Sequence, residues 1–275
     1  MPKTIKINKE KLKKFYLQDK LGSYEIAKLF NCSQRTIMNY LCKYLIKTRS
    51  VQEAKALSKP RYPRKNFNGN SVQKAYLIGF RLGDLHISKT HPNSPTIRIS
   101  TNTTKNEQLD LVEELFSKYG HVKKYNRDKN GAISIRCFVN NSFNFLLKKE
   151  DNVEKWILKN KYYFFSFLGG YVDAEGTFSS KHNTVFSINT QDKKIMHQIS
   201  FYLNKYGIQC IKPQLARKMN SVINGVKSNK DVWLINIYNK KNLIILIKSV
   251  KKYIKHKKRK TDMIMLLNKL QYVRA

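Results

Sequence analysis

From residue 71 onward, the pattern of apolar and polar positions predicts one order of elements twice. In each copy an apolar helix is followed by two short strands, an amphipathic helix, two more strands and a further helix. Ile97 and Ile99 alternate with Arg98 and Ser100, as in a strand with one buried and one polar face. Residues 105–119 instead place an apolar residue every three or four positions, which is the helical period.

The helix that opens each copy carries a repeated motif. Its two occurrences are Tyr76–Asp84 (YLIGFRLGD) and Phe167–Gly176 (FLGGYVDAEG), and their shared Leu-x-Gly-[Phe/Tyr] begins 91 residues apart. Small residues four positions apart lie on one helix face and let two helix backbones approach closely. The predicted packing residues are Gly79, Gly83, Gly170 and Ala174.

Each motif ends in one acid, Asp84 or Glu175. If the two helices pack in parallel, these carboxylates meet at their C-terminal ends and form a candidate divalent-metal site. A glycine-containing apolar helix is more often plain core. Two copies, each ending in an acid and each followed by the same elements, argue against that reading.

The repeat period of about 90 residues is too long for a solenoid unit and indicates a domain duplicated into a pseudo-dimer. We predict an α+β fold with two pseudo-symmetric αββαββα repeats, at residues 71–160 and 161–275. An all-α domain at residues 1–50 precedes them, joined by a basic linker at residues 51–70.

Residues 9–47 predict three short helices, with Ser23 and Ser33 as N-caps of the second and third. The pattern is typical of a DNA-binding helix-turn-helix, whose third helix reads base edges in the major groove. The predicted reading residues are Gln34, Arg35, Thr36 and Asn39. A three-helix bundle without a DNA role is the alternative.

The linker includes a short predicted helix at Val51–Leu57 and then Lys59-Pro60-Arg61-Tyr62-Pro63-Arg64. Two prolines among basic residues favour an extended segment that follows phosphates through Arg61 and Arg64. A passive spacer is the equal alternative.

The net charge of the chain indicates the class of its binding partner. The chain has 54 Lys and Arg against 18 Asp and Glu, a net charge of +36 spread along its whole length. Such self-repulsion opposes compactness, so a polyanionic partner is indicated, with nucleic acid favoured over a membrane surface. The four cysteines have neither zinc-site nor disulfide spacing. Without a secretory signal or a membrane-length apolar run, we expect an intracellular protein.

Both motifs, their spacing and the repeated element order resemble the LAGLIDADG homing endonucleases in their single-chain, two-repeat form. The resemblance covers about residues 71–270. The second motif matches at nearly every position, whereas the first has Leu82 in place of an acid and Leu85 in place of a glycine. The resemblance implies a saddle of antiparallel sheets and a site-specific double-strand DNA endonuclease.

On that resemblance, the enzyme hydrolyses one phosphodiester per strand across the minor groove, with divalent metal at Asp84 and Glu175 beside Gly83 and Ala174. Mg²⁺ is the expected cofactor, and Mn²⁺ or Ca²⁺ substitutes in binding. Metal-activated water and charge on the leaving oxygen are what phosphodiester cleavage needs. The family also places a lysine at the start of the last helix of each repeat, here Lys257 and Lys155.

The expected partner is long double-stranded DNA, pseudo-palindromic or asymmetric, bound by a monomer. The DNA contacts expected on the polar strand faces are Arg98, Ser100, Arg136, Ser187, Asn189, Gln214, Arg217 and Asn236. The alternative is a non-cleaving binder, either an RNA maturase that takes intron RNA or a DNA-binding regulator. The expected location is a bacterial or archaeal cytoplasm or an organelle matrix.

Overall fold

The computed structural model describes residues 6–57, 62–92, 94–181, 183–223 and 225–272. These residues form two compact units, each with its own apolar core. One comprises the described residues up to 63 with 89–96, and the other comprises 64–88 and the described residues from 97 onward. None of the described helices is long and apolar enough to cross a membrane.

The N-terminal unit is helical. Its helices are α1 (Lys9–Lys13, continued by a π-helical turn at Lys14–Gln18), α2 (Ser23–Leu29), α3 (Gln34–Lys43) and α4 (Val51–Leu57). Ile26 and Ala27 of α2 share a buried cluster with Ile37 and Leu41 of α3. The apolar spacing of the two helices therefore produces the expected helix pair.

Of the two N-caps predicted in this unit, Ser33 is confirmed and Ser23 is not. Ser33 Oγ accepts a hydrogen bond from the Thr36 backbone at 3.1 Å, as an N-cap does. The cap of α2 is Gly22 rather than Ser23, because Glu25 Oε2 accepts from the Gly22 N–H at 2.9 Å. Ser23 is the first helical residue, and its hydroxyl accepts from the side chain of Gln34.

The second unit contains both repeats, apart from residues 89–96 of the first. The first consists of α5 (Ser71–Asp84), β1 (His86–Lys89), β2 (Thr96–Thr103), α6 (Asn106–Phe116), β3 (His121–Arg127), β4 (Ile133–Asn140), a 3₁₀ segment (Asn141–Leu146) and α7 (Lys155–Leu158). The second consists of α8 (Lys161–Glu175), β5 (Gly176–Ser179), β6 (Val185–Thr190), α9 (Lys193–Lys205), β7 (Gln214–Arg217), β8 (Val222–Ile223), β9 (Val226–Lys227), β10 (Val232–Ile237), α10 (Lys240–Val250) and α11 (Lys257–Tyr272).

Each repeat builds one four-stranded sheet, in the order β1-β2-β4-β3 or β5-β6-β10-β7. The assigned neighbours, such as β10 with β6 and β3 with β4, run antiparallel. Alternate residues of β2 and β4 are buried, so each strand presents one face to the core and one outward. The predicted α+β saddle of two repeats is confirmed.

Three elements differ from the residue pattern, which predicts a strand from residue 208, a helix at residues 141–149 and strands that begin at Asp84 and Glu175. The strand expected from residue 208 begins only at Gln214, because Pro213 has no N–H for the ladder and Ile208 is buried in the core. The helix expected at residues 141–149 is a 3₁₀ segment, since its Asn and Ser residues favour local backbone bonds over an α-helix. Asp84 and Glu175 end helices rather than begin strands.

Helices α5 and α8 pack against each other through small residues. A Cβ built at Gly79 would overlap the carbonyl oxygen of Phe167, and one built at Gly170 would overlap that of Tyr76. The two contacts are related by the 91-residue offset, so the interface has a pseudo-two-fold axis. Because backbone meets backbone here, a larger residue at either glycine needs the helices to separate.

Candidate active site

The close packing of α5 and α8 brings the two motif acids together at one end of the helix pair. Gly83 lies against Ala174 and Glu175: a Cβ built at Gly83 would come 3.0 Å from Glu175 Cγ. Asp84 and Glu175 are the last residues of their helices and are both largely buried. The predicted meeting of two carboxylates is therefore present.

The surroundings of Glu175 disfavour the ionised form of its carboxyl more than those of Asp84 do. Burial raises the pKa of its carboxyl to about 7, and the neighbouring carboxylates of Asp84 and Asp192 add to the rise. Lys149 and Arg259 counter part of the effect. Among the described residues, no hydrogen bond reaches its carboxylate.

Asp84 has a partner that Glu175 lacks. Gln108 Nε2 of α6 donates to Asp84 Oδ2 at 2.6 Å. Burial raises the pKa of Asp84 to about 6, against the lowering influence of Arg259, Gln108 and Lys149. Gln108 is itself buried, so this hydrogen bond fixes the position of one oxygen of Asp84.

Beside Glu175 stands a third acid, Asp192, just before α9. The hydroxyl of Tyr171, a fully buried residue of α8, donates to Asp192 Oδ2 at 2.9 Å and lies 3.3 Å from Thr190 Oγ1. Burial raises the pKa of Asp192, and the Tyr171 hydrogen bond lowers it. The Glu175 half thus contains two carboxylates, and the Asp84 half has one with an amide.

Asp173, the other acid of the second motif, has a structural role. It is 1% exposed and accepts hydrogen bonds from the Tyr76 hydroxyl at 2.6 Å and the Lys255 backbone N–H at 2.7 Å. Burial raises its pKa to about 6 despite these donors. Asp173 therefore ties α8 to α5 and to the chain entering α11.

Two basic residues outside the sequence predictions act on the two acids. Arg259 and Lys149 both act electrostatically on Asp84 and Glu175. Lys257 is largely exposed and reaches Asp110 at 3.5 Å. Lys155 is exposed at the start of α7. The catalytic roles predicted for Lys257 and Lys155 remain predictions.

A polar cavity of about 180 Å³ opens beside Asp84. Thr101, Asn102 and Thr103 line it from the end of β2, opposite Asp173 and Arg259. The buried Asp173 Oδ1 and Arg259 Nε have no protein partner among the described residues. Polar walls with unfilled donors and acceptors favour water there.

The donor set fits a divalent cation. Mg²⁺ and Ca²⁺ take oxygen ligands, and Mg²⁺ typically uses one or two carboxylates with waters and phosphate oxygens. Two buried carboxylates whose pKa values are raised gain most from a neutralising cation. No cluster of three or more His, Cys, Asp or Glu suited to a metal occurs in the described part of the chain.

The polar strand faces carry the predicted DNA contacts. The outer positions are Arg98, Ser100 and Arg136 in the first sheet and Ser187, Asn189, Gln214, Arg217 and Asn236 in the second. One pair of them is hydrogen-bonded, since Ser187 Oγ donates to Asn236 Oδ1 at 2.6 Å. Arg136 lies over the ring of Tyr125, 4.6 Å from the ring centre.

In the N-terminal unit, Arg35 and Asn39 are exposed on α3, as base reading needs. Gln34 and Thr36 are engaged locally, with Ser23 at 2.9 Å and Ser33 at 2.9 Å. Arg64 is half-buried, and burial lowers its pKa. Arg61 lies outside the described residues.

Gln108, Asp192, Lys149 and Arg259 were missed from the sequence. Gln108 has a signal, because it is a polar residue on the apolar stripe of α6, one turn before Val112. Nothing in the basic run around Arg259 distinguishes it from Lys257 by pattern alone.

Residues 164–251 match the LAGLIDADG-like domain family. The solved structure of the homing endonuclease I-WcaI bound to its DNA recognition sequence is similar, with TM-score 0.50 and 18% identity over 70% of this chain and 86% of that one. I-DmoI in complex with DNA and Ca gives TM-score 0.47 and 18% identity, covering 66% and 90%.

The N-terminal LAGLIDADG domain of DUF199/WhiA gives TM-score 0.43 and 13% identity, covering 68% and 86%. A comparison with curated proteins finds no significant match. The domain match confirms the predicted resemblance at the second repeat.

Proposed function

This chain carries a LAGLIDADG-like domain within a two-repeat fold, and we propose that it is a site-specific endonuclease of double-stranded DNA. The observation that carries the proposal is the pair of buried acids, Asp84 and Glu175, where the two central helices end. Retaining two poorly solvated carboxylates side by side is unfavourable for folding, which argues for a functional role.

We propose that these acids hold divalent metal, with Mg²⁺ as the expected ion. Bound there, the metal would lower the pKa of a water and stabilise charge on the leaving oxygen. Similar structures include I-DmoI in complex with DNA and Ca and with DNA and Mn. Two acids at a pseudo-two-fold axis suit one cut on each strand across the minor groove.

The protein's own residues then have distinct tasks. Gln108 orients Asp84 through its hydrogen bond, and Tyr171 holds Asp192 next to Glu175. Arg259 and Lys149 place positive charge near both acids, where it would stabilise the extra negative charge of the phosphate in the transition state. The outer sheet faces position the duplex.

The test is cleavage of a randomised library of long duplexes in Mg²⁺, with the cut ends sequenced. Asp84→Asn and Glu175→Gln should each reduce double-strand cleavage by roughly a thousandfold or more, since each removes a metal ligand. Binding should persist. Glu150→Gln is the matched control, because it removes an exposed carboxylate paired with Lys148 at 2.9 Å. Binding without cleavage by the unmodified protein would favour a non-cleaving binder.

We further propose that the N-terminal helices lengthen the DNA site as a helix-turn-helix. The exposed Arg35 and Asn39 on α3 support this. Replacing both with alanine should shorten the protected footprint at one end and leave the cutting rate on bound DNA unchanged. An unaltered footprint would refute the base-reading role of α3.

A further inference from the structure

A cavity in the second unit lies far from the two acids and has no part in the proposed cleavage. It is about 600 Å³ in volume and opens at the N-terminal ends of α5 and α8, next to the end of α6 and the turn after α10. Tyr162, which lines it, is 13 residues before Glu175 on α8, or about 20 Å along the helix.

The lining combines aromatic rings with lysines. Tyr162 is 63% exposed at the mouth of the cavity, whereas Tyr76, Tyr119 and Tyr253 are buried and present only part of their surface. The exposed ring of Tyr162 therefore offers a flat apolar ligand a surface on which to stack.

Each of the three lining lysines lies over one of these rings. Lys252 Nζ is 5.2 Å from the Tyr162 ring centre and 5.0 Å from that of Tyr253. Lys255 Nζ is 5.0 Å from the Tyr76 ring, and Lys118 Nζ is 4.8 Å from the Tyr119 ring. Positive charge is thus held at the same places as the stacking surfaces.

The positive charge is not neutralised within the protein. None of the three lysines forms an ion pair with another described residue. Glu114 is the one acid in the lining, so three cations face one anion. A ligand with one or two negative charges would complete the balance.

We propose that this cavity binds a nucleotide, with its base against the aromatic rings and its phosphate among Lys118, Lys252 and Lys255. The volume is in the range of cavities that hold small ligands. Base stacking accepts any nucleobase, since every base has an aromatic face. The same chemistry is offered by a free nucleoside monophosphate and by an unpaired nucleotide of a single strand.

This site is independent of the cleavage proposal, because none of its lining residues is a motif acid or a neighbour of one in sequence. It does connect to the structural acid of the second motif. Tyr76 contributes a ring to the cavity and a hydroxyl hydrogen bond to Asp173, and the Lys255 backbone donates to the same carboxylate.

The test is fluorescence anisotropy of 1,N6-ethenoadenosine 5′-monophosphate titrated with the full chain at about 150 mM salt, where weak surface attraction is screened. Tyr162→Ala should weaken binding roughly tenfold or more, since one stacking surface is lost. Phe201→Ala is its control, because Phe201 is equally exposed, at 64%, and lies outside the cavity lining.

A second pair of variants separates the site from the general charge of the protein. Lys252→Gln should weaken binding several-fold, whereas Lys251→Gln changes the net charge equally at an exposed neighbour outside the lining and should have no effect. Equal effects of the two lysine variants, equal effects of the two aromatic variants, or no binding by the unmodified chain would each overturn the proposal.

Competition identifies what the cavity recognises. Unlabelled adenosine monophosphate should displace the probe, and ribose 5-phosphate and inorganic phosphate should not. Displacement by the sugar phosphate as effectively as by the nucleotide would overturn base recognition. A single-stranded RNA or DNA hexamer that competes better than the monophosphate assigns the site to an unpaired strand, and the reverse order assigns it to free nucleotide.

Discussion

The two motif helices can be compared position by position, because residues of α5 and α8 correspond at an offset of 91. Arg81 corresponds to Val172, and Leu82 to Asp173. Before the acid that ends it, each helix therefore has one fully buried charged residue, displaced by one position and opposite in sign.

Both buried charges link their helix to the last part of their own repeat. Arg81 is 5% exposed, and its Nε donates to the Leu146 carbonyl at 2.9 Å while its Nη1 donates to the Leu85 carbonyl. Asp173 instead accepts from the Lys255 backbone. Both helices are thus hydrogen-bonded to the last part of their own repeat, one through a buried arginine and the other through a buried aspartate.

The hydroxyls show a similar exchange. Tyr76 and Phe80 stack on α5, and their counterparts Phe167 and Tyr171 stack on α8 with the tyrosine at the other position. The Tyr76 hydroxyl binds the structural Asp173, whereas the Tyr171 hydroxyl binds Asp192 beside Glu175. Pseudo-symmetry is strict where backbones touch and relaxed where side chains bond.

The largest effect is expected where symmetry is strictest. Gly79→Ala and Gly170→Ala should each lower the free energy of unfolding by about 3 kcal/mol or more, because the added methyl meets a backbone carbonyl. The two losses should be similar. Denaturant unfolding measures both losses. Gly131→Ala is the comparison, because an added Cβ there meets no atom and only the positive φ opposes it.

A markedly smaller loss at one glycine would show that the two faces of the interface are not equivalent. Gly83→Ala offers an intermediate case. Its methyl would meet the Ala174 side chain, and Glu175 Cγ lies 3.0 Å from it. Because side-chain atoms can yield more than backbone, this variant should be less destabilised than the other two.

The next effect concerns the two buried charges. Arg81→Met should cost about 2–3 kcal/mol, because the carbonyls of Leu146 and Leu85 each lose a charged donor. Asp173→Leu, which installs the residue of the first motif, should cost about as much by leaving the Tyr76 hydroxyl and the Lys255 N–H unpaired. Thermal unfolding with chelator present compares them.

Two substitutions of Asp173 separate the contribution of its charge from that of its hydrogen bonds. Asp173→Asn retains an acceptor for the same two donors and should lose much less than Asp173→Leu. If both Asp173 variants behave alike, the charge rather than the hydrogen bonding secures the start of α11.

These buried charges also show what sequence reasoning could reach. The period of the apolar residues and the repeated motif predicted the two repeats, the helix pair and the meeting of Asp84 with Glu175, because backbone packing follows local pattern. The saddle was predicted from the family resemblance. The pattern could not say whether Arg81 pairs or faces solvent. Both of its partners are backbone carbonyls. The position of the Leu146 carbonyl depends on the path of the chain 65 residues later.

The basic groups of the site illustrate the same limit. Lys257 was predicted, on the family resemblance, from its place at the start of a helix. Arg259, on the same helix, lines the cavity beside Asp84 and acts electrostatically on both acids. Which side of a helix faces a site depends on its rotation against its neighbours. In a run of four basic residues from Lys257 to Lys260, no apolar residue marks the inner face.

A smaller, pH-dependent effect should distinguish the motif acids in the metal-free protein. Their pKa values are raised, to about 6 for Asp84 and about 7 for Glu175, so the folded state holds their protons more tightly than the unfolded state. Stability should therefore fall as pH rises from about 4 through 7. Glu175→Gln should add about 1–2 kcal/mol at pH 8 and nothing near pH 4.

Asp84→Asn should gain less than Glu175→Gln, because the charged form of Asp84 is already stabilised by Gln108. Unfolding free energies in chelator at pH 4, 6 and 8 test both variants. A gain at pH 8 that persists at pH 4 would mean that the effect is packing and not ionisation.

The smallest effect should be a bias between the strands, and it concerns the hydrogen bond that Gln108 donates to Asp84 in the first half. Gln108→Met keeps the length of the side chain and removes the donor to Asp84 Oδ2. On the proposed function, we expect cleavage of one strand to slow about tenfold, since a misoriented carboxylate positions metal poorly. The other strand should be cut at its normal rate, because Glu175 receives no bond from Gln108. Duplexes labelled on either strand reveal the bias as a nicked intermediate.

Tyr171→Phe, which frees Asp192 beside Glu175, should bias the cut toward the opposite strand. Equal slowing of both strands by each variant would show that the two acids serve one shared centre rather than two separable ones.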